Sequence, residues 1–297
     1  MPEKVIVYIG GGGMAGVYGA GVLKGINDLG LGKMIETIYA GSAGALDAAY
    51  FLSGQHDLGS SIYWEDLCDN FIFPLHVFLG TYDLFINRFV RPLKDTEVRS
   101  VINIDYLLSI MSNIKPLNLE TLATNKINLF VKLLNLRSGE VVYVRAQDKC
   151  LMELFHAAIN IKPFYFPDTY FEGELFVDGT IKEPIGIQSI VTRHPNRKII
   201  VIINEPQRRG TRHHLKNFLE GAVASLYPTP ISLFRIFMAR EGCLRRDLDY
   251  CFQDKNILVI SPNHKYRVVP KTTNPQRLKN TFLNGIEDAK AVIPFIG

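Results

Sequence analysis

The sequence predicts an α/β fold built on a mostly parallel sheet, and three observations carry that expectation. Short β-rich apolar runs recur along the chain, the first two each end in a glycine-bearing turn, and each turn opens a helical segment. With 297 residues, 47% of them apolar and 21% charged, the chain has the composition of a globular protein with a large core. The same balance excludes a disordered tail, a collagen-like fibre and a small disulfide-stapled scaffold.

The elements follow in order. Val5–Ile9 (VIVYI) reads as a buried parallel strand ending in Gly10–Gly13, and residues 16–30 (GVYGAGVLKGINDLG) as a helix closed by Gly30. Thr37–Gly41 (TIYAG) is the second strand and residues 43–54 the second helix, a parallel βαβα opening. Residues 60–115 read as helical and irregular, dense in aromatics. Residues 126–136 and 140–144 form a strand pair joined by the hairpin signal Arg137-Ser138-Gly139-Glu140. Residues 150–159 are a compact amphipathic helix, 173–181 (GELFVDGTI) a strand running into a turn, and 198–206 another buried strand. Residues 256–262 are the last strand and 278–293 the last helix. No repeat, low-complexity tract or linker divides the chain, so a single domain is expected over residues 4–295. Its motif-bearing core spans 4–206, and 207–295 carries weaker signals.

No apolar run reaches the roughly 18 residues of a membrane-spanning helix; the stretch 71–80 is interrupted by Pro74 and His76. The amino-terminal stretch lacks the long apolar core of a secretory signal. Cys68, Cys150, Cys243 and Cys251 show no pairing rhythm and no CxxC spacing, the pattern of reduced thiols rather than a disulfide frame or a zinc site. A cytoplasmic protein is expected, with export without a cleaved signal left open. The net charge is +4, but seven Lys/Arg between Arg193 and Lys216 face one acid, Glu205, giving that segment +6. Such a patch predicts an anionic partner surface. The segment lacks interleaved aromatics, which argues against nucleic acid.

Three constellations carry chemistry. Gly10–Gly16 (GGGGMAG) joins a strand to a helix, where glycines turn bare N–H groups toward the helix amino terminus. Gly11, Gly13 and Gly16 also satisfy GxGxxG, but the acidic ribose clamp of a dinucleotide fold is missing: Glu36 precedes the second strand, which closes in Ala40-Gly41-Ser42. In Ala40–Ala45 (AGSAGA), Ser42 sits on a strand-to-helix turn walled by Gly41, Ala43 and Gly44, the sequence form of a nucleophile elbow. Val177–Thr180 (VDGT) then places Asp178 and Gly179 at a strand end; alone it reads as a plain turn, but a serine elbow needs a base.

These motifs, in this order, resemble the patatin-like phospholipase family, which is marked by a GGGxxG segment, a GxSxG elbow and a later Asp-Gly-Gly or Asp-Gly-Ala. The resemblance runs from Val5 to about Pro206. It implies a three-layer fold with a central, mostly parallel sheet between helices. It also implies Ser42 as nucleophile, Asp178 as its partner in a Ser–Asp dyad, and Gly11, Gly12 and Gly13 as the oxyanion-hole region, supported by Gly16, Gly41, Ala43, Gly44 and Gly179. The activity implied is metal-independent, cofactor-free hydrolysis of phospholipid or lysophospholipid esters, of phospholipase A or lysophospholipase type. Three positions depart from the family pattern: Ala40 replaces the first elbow glycine, Ala15 a cation beside the oxyanion loop, and Thr180 the small residue after Asp-Gly.

Two alternatives stand beside this reading. An α/β-hydrolase-like esterase or thioesterase would carry a Ser-Asp-His triad, but its elbow follows several strands, and His194, His213, His214 and His264 lie in polar or basic settings. The other is a non-hydrolytic lipid-binding or regulatory module. Asp69–Val90, with Phe71, Phe73, Phe78, Phe85 and Phe89, and Tyr227–Arg240 read as amphipathic pieces with basic edges. Together with the +6 segment they predict peripheral docking to a membrane that presents the lipid substrate. No protein partner is indicated.

Overall fold

In the computed structural model, which describes residues 4–90, 98–206 and 212–297, apolar strand runs and amphipathic helices alternate as expected. β1 (Val5–Ile9) leads through a tight 3-10 turn, Gly13–Gly16, into α1 (Val17–Asp28), and β2 (Ile35–Ala40) leads into α2 (Ala43–Leu52). Helices α3 (His56–Glu65), α4 (Leu67–Asn70), α5 (His76–Phe89), α6 (Ile104–Ser109) and α7 (Leu119–Ala123) occupy the aromatic-rich stretch. The hairpin comprises β3 (Asn128–Asn135) and β4 (Val141–Arg145). After it come α8 (Leu151–Ile159), β5 (Tyr170–Phe171), β6 (Glu174–Asp178), α9 (Ile187–Arg193) and β7 (Ile199–Ile202). The remainder supplies α10 (Arg212–Ala224), α11 (Leu233–Gln253), β8 (Ile257–Ile260), α12 (Pro275–Asp288) and α13 (Val292–Ile296). β2 starts two residues earlier than the sequence predicted, because Ile35 already pairs with Val5.

One sheet runs β5-β6-β3-β2-β1-β7-β8, with β4 also on β3. β3, β2, β1, β7 and β8 are parallel; β4 and β6 lie antiparallel to β3. Alternation along β1 sorts the layers, since successive side chains face opposite sides of a strand. Val5, Val7 and Ile9 enter the main core with α1, α2, α8 and α12. Ile6 and Tyr8 enter a second core with Ile187 and Ile190 of α9 and Cys251 of α11. Helices therefore cover both faces, giving the three-layer α/β architecture. Residues beyond 206 extend the same sheet through β8 on β7. No helix among the described residues is long and apolar enough to cross a membrane.

Register on β3 decides where the site lies. β4 pairs with residues 130–134 along one edge of β3, so β2 (paired at 128–131) and β6 (paired at 133–135) must share the other edge. They approach along that edge from opposite directions. Ala40 is opposite Val131 and Asp178 opposite Leu133, so the carboxyl ends of β2 and β6 meet head-on.

The described cations of the +6 segment do not share one surface. Arg197 pairs with Glu36, at the start of β2, and Lys198 donates to the Ile296 carbonyl, so both lie at the end of the sheet opposite Ser42. Arg193 stacks on Tyr143. Arg208 and Arg209, and the side chains of Arg212, His213 and His214, fall outside the described residues. Lys216 instead pairs with Glu220 on α10, so the described cations are not the single basic patch that the sequence suggested.

Candidate active site

Ser42 occupies the turn between β2 and α2 with φ 54° and ψ −135°. A non-glycine residue in such a conformation carries about 1–3 kcal/mol of strain, and it persists here because tight packing leaves the turn no alternative. A Cβ on Gly41 would stand 2.3 Å from Thr180 Cγ2, and one on Gly44 2.6 Å from the Gly10 carbonyl oxygen. The strand and helix thus approach as closely as glycine permits.

The glycine loop lies directly over the serine: a Cβ on Gly11 would be 2.5 Å from Ser42 Cβ and 3.1 Å from Oγ. Gly12 and Gly13 adopt φ of 151° and 53°. The chain then tightens into the 3-10 turn, where Gly16 abuts Ala43. Within the loop the Gly10 N–H donates to the Ile202 carbonyl and the Met14 N–H to the Pro270 carbonyl, both at 3.0 Å. The N–H groups of Gly11, Gly12, Gly13 and Ala43 have no hydrogen-bond acceptor among the described residues. Unpaired amides beside a serine are what a developing oxyanion requires.

Asp178 closes β6 and is fully buried. Its Oδ1 accepts the Thr180 N–H at 2.8 Å, while Oδ2 is buried without a hydrogen-bond partner. Burial raises its pKa above the ordinary carboxylate range; the Thr180 N–H and hydroxyl, the Ser42 hydroxyl and the Arg240 guanidinium partly offset that rise. The Ser42 hydroxyl is near enough to influence the carboxyl, yet the two do not close a hydrogen bond of normal geometry. A resting pair is often looser than the reacting one. One oxygen is thus anchored and the other keeps its lone pairs for a proton.

Lys132, on β3, braces the turn that follows. Its stem lies against Gly179, where a Cβ would stand 2.5 Å from Lys132 Cγ. Its buried Nζ donates to the Glu183 and Ile185 carbonyls at 2.8 and 2.6 Å. Burial lowers its pKa to about 8. Among the described residues, no group of three or more His, Cys, Asp or Glu could hold a metal ion. His194 is engaged with the Tyr39 hydroxyl and His264 sits on a short 3-10 turn, so neither joins the serine.

The patatin-like phospholipase family matches residues 7–191, more than half of the sequence and the part containing all three motifs. The chain belongs to this family. No curated protein matches it significantly. Among solved structures, VipD from Legionella pneumophila is similar over 98% of this chain and 67% of its own, at 14% identity and a TM-score of 0.44. The type III effector ExoU is similar over 98% of this chain at 12% identity and a TM-score of 0.40; the chain spans 53% of ExoU. A Pseudomonas aeruginosa ExoU, solved in complex with SpcU, is similar over 97% of this chain and 53% of its own, at 14% identity and a TM-score of 0.33.

The departures from the patatin-like pattern have local explanations. The Ala40 methyl is accommodated in the main core, away from solvent. Ala15 is fully buried beneath the loop, where a lysine or arginine would have to be desolvated. The Thr180 methyl fills the space that Gly41 leaves. Sequence reasoning missed Asn204, just past β7, whose buried amide donates to the Gly10 and Gly11 carbonyls at 2.6 and 3.1 Å and fixes the loop from behind. The available signal was a polar residue ending an otherwise apolar strand. It also missed Pro270, which holds the loop through its carbonyl, and Lys132, an ammonium inside an apolar strand.

Proposed function

We propose that this patatin-like chain hydrolyses carboxylic esters of phospholipids or lysophospholipids through a Ser42–Asp178 dyad. Ser42 Oγ attacks the acyl carbonyl carbon and its proton passes to the free oxygen of Asp178. The N–H groups of Gly11, Gly12, Gly13 and Ala43 receive the oxyanion of the tetrahedral intermediate. Collapse expels the alcohol portion, which takes the proton from Asp178 and leaves an acyl-serine. A water then gives its proton to Asp178 and attacks the acyl carbon, and the serine leaves with that proton as the fatty acid is released.

The observation that carries this reading is the convergence of a strained serine, an anchored buried carboxyl with one free oxygen, and unpaired amides at one strand-end junction. An aspartate of ordinary pKa, near ~3.9, is a poor base for an alcohol. Burial without a cation in direct contact makes this one more basic.

The test compares wild type with Ser42→Ala, reading fluorophosphonate labelling and fatty-acid release from phospholipid dispersions. Wild type is expected to label and turn over; the variant is expected to lose labelling and at least about 10³-fold in rate. Labelling or release that persists in Ser42→Ala would exclude Ser42 as nucleophile.

A further inference from the structure

Helix α5 is inside out. Its inward side carries Gly80, Leu84 and the acid Asp83, which accepts both from the Arg99 backbone N–H and, at 2.6–2.7 Å, from its guanidinium. Its outward side carries the aromatics: Phe78 is 77% exposed, Tyr82 62%, Phe85 50% and Phe89 64%, with Leu75 at 73% leading the row. Residues 75, 78, 82, 85 and 89 recur at helical spacing and form one stripe along about 20 Å of helix. A soluble helix normally turns such a stripe inward.

The stripe continues onto α10. The two helices share a small core in which Leu84 and Phe166 receive Val223 and Leu226. α10 exposes Leu215, Phe218 and Leu219, and Leu219 and Leu215 lie one and two turns before Val223 on the same side of the helix. Among the described residues, neither helix exposes an unpaired acid. The only acid of α5 is turned inward to Arg99, and Glu220 of α10 is mostly buried and paired with Lys216. Arg88 and Lys216 remain at the exposed edges. Exposed aromatic and aliphatic side chains beside cations, with no exposed unpaired acid on either helix, match the headgroup–acyl boundary of an anionic bilayer.

We propose that the joined outer faces of α5 and α10 form the surface by which the protein docks on an anionic phospholipid bilayer. Phe78, Tyr82, Phe85, Phe89 and Phe218 enter the interface, while Arg88 and Lys216 meet the headgroups. The surface belongs to the same layer as the candidate site: Ala224, at the end of α10, packs with Val177 and Ile181, which flank Asp178. Docking takes its partner from the lipid-hydrolase reading but does not require Ser42 to react.

The experiment uses Ser42→Ala protein, so that binding is read without turnover. It measures flotation with phosphatidylcholine vesicles, with and without phosphatidylserine. Binding is expected to the mixed vesicles, to weaken in high salt, and to fall about tenfold or more in Phe85→Asp/Phe89→Asp with an unchanged circular-dichroism spectrum. Absence of flotation, equal binding to phosphatidylcholine alone, or binding insensitive to the double substitution would overturn the proposal. So would a dimer that the double substitution dissociates in protein that does not float, which would assign the face to a second copy. Docking that persists in a protein whose wild type releases no fatty acid would instead refute the hydrolase reading and leave this surface standing.

Discussion

Replacing Gly11 with alanine adds a single methyl group, and its surroundings say what that group meets. It would stand 2.5 Å from Ser42 Cβ and 3.1 Å from Oγ, whereas carbon atoms in favourable contact are about 3.5–4.0 Å apart. About 1 Å of separation is therefore missing. Gly11, unlike its two successors, does not use the left-handed region, so alanine incurs no backbone strain there. Relief must come from moving Ser42 or the loop, and the proposed mechanism uses both. Misplacing a reacting group by about 1 Å costs about 100-fold, and losing one oxyanion donor about 10²–10³. Gly11→Ala is expected to lower kcat/KM for a soluble acyl ester by that amount. Overpacking of about 1–3 kcal/mol lowers Tm by only a few degrees in a chain of this size. Gly30→Ala is the control: its Cβ meets nothing within 4 Å, but φ is +72°, so it should cost about 1 kcal/mol of stability and no activity. A Gly11→Ala enzyme within about threefold of wild type would refute the placement of the loop over the serine.

Asp178→Asn should nearly abolish turnover while raising Tm at neutral pH. Asp178 has a folded-state pKa raised by burial, so the folded protein keeps its proton to higher pH than the unfolded chain and loses stability as pH rises through that window. Asparagine lacks this penalty, so the two Tm curves should converge below about pH 4; a variant no more stable at pH 7 would contradict the burial. If Asp178 is the base, the acid limb of kcat/KM for wild type should lie above the ordinary carboxylate range, and a limb at about 4 or below would remove it from that role. Lys132 works in the opposite sense. With its pKa lowered to about 8, the unfolded chain holds the extra proton above that pH, so this lysine makes the fold more stable as pH rises from about 8 toward the ordinary lysine value. Lys132→Met should remove that rise, so its Tm should fall behind that of wild type as pH climbs above about 8; parallel Tm curves for wild type and variant would contradict it.

The glycine loop and the elbow were legible because a glycine-bearing turn between a strand and a helix is a local pattern, although the atoms that demand Gly41 and Gly44 come from other segments. Thr180 and the Gly10 carbonyl require Gly41 and Gly44, and neither lies near the elbow in sequence. The proposed partnership of Asp178 with Ser42 comes from the family resemblance, since VDGT by itself reads as an ordinary turn. Asn204, Pro270 and Lys132 reach the site from three separate elements, and nothing near them in the chain announces it. The aromatic segment around α5 showed its amphipathic spacing, but spacing does not say which face turns to solvent. The cations between Arg193 and Lys216 looked like one patch, but those described, Arg193, Arg197, Lys198 and Lys216, are engaged in different parts of the fold.

By itself the sequence determined the strand–glycine–helix units and the chemistry they can present, because backbone sterics and apolar periodicity act over a few residues. The tertiary structure alone decided that β2 and β6 meet end to end on one edge of β3, that the Asp178 carboxyl is buried there, and that α5 turns its aromatic stripe outward. Those outcomes depend on strand pairing and packing between segments distant in the chain, which no local pattern specifies.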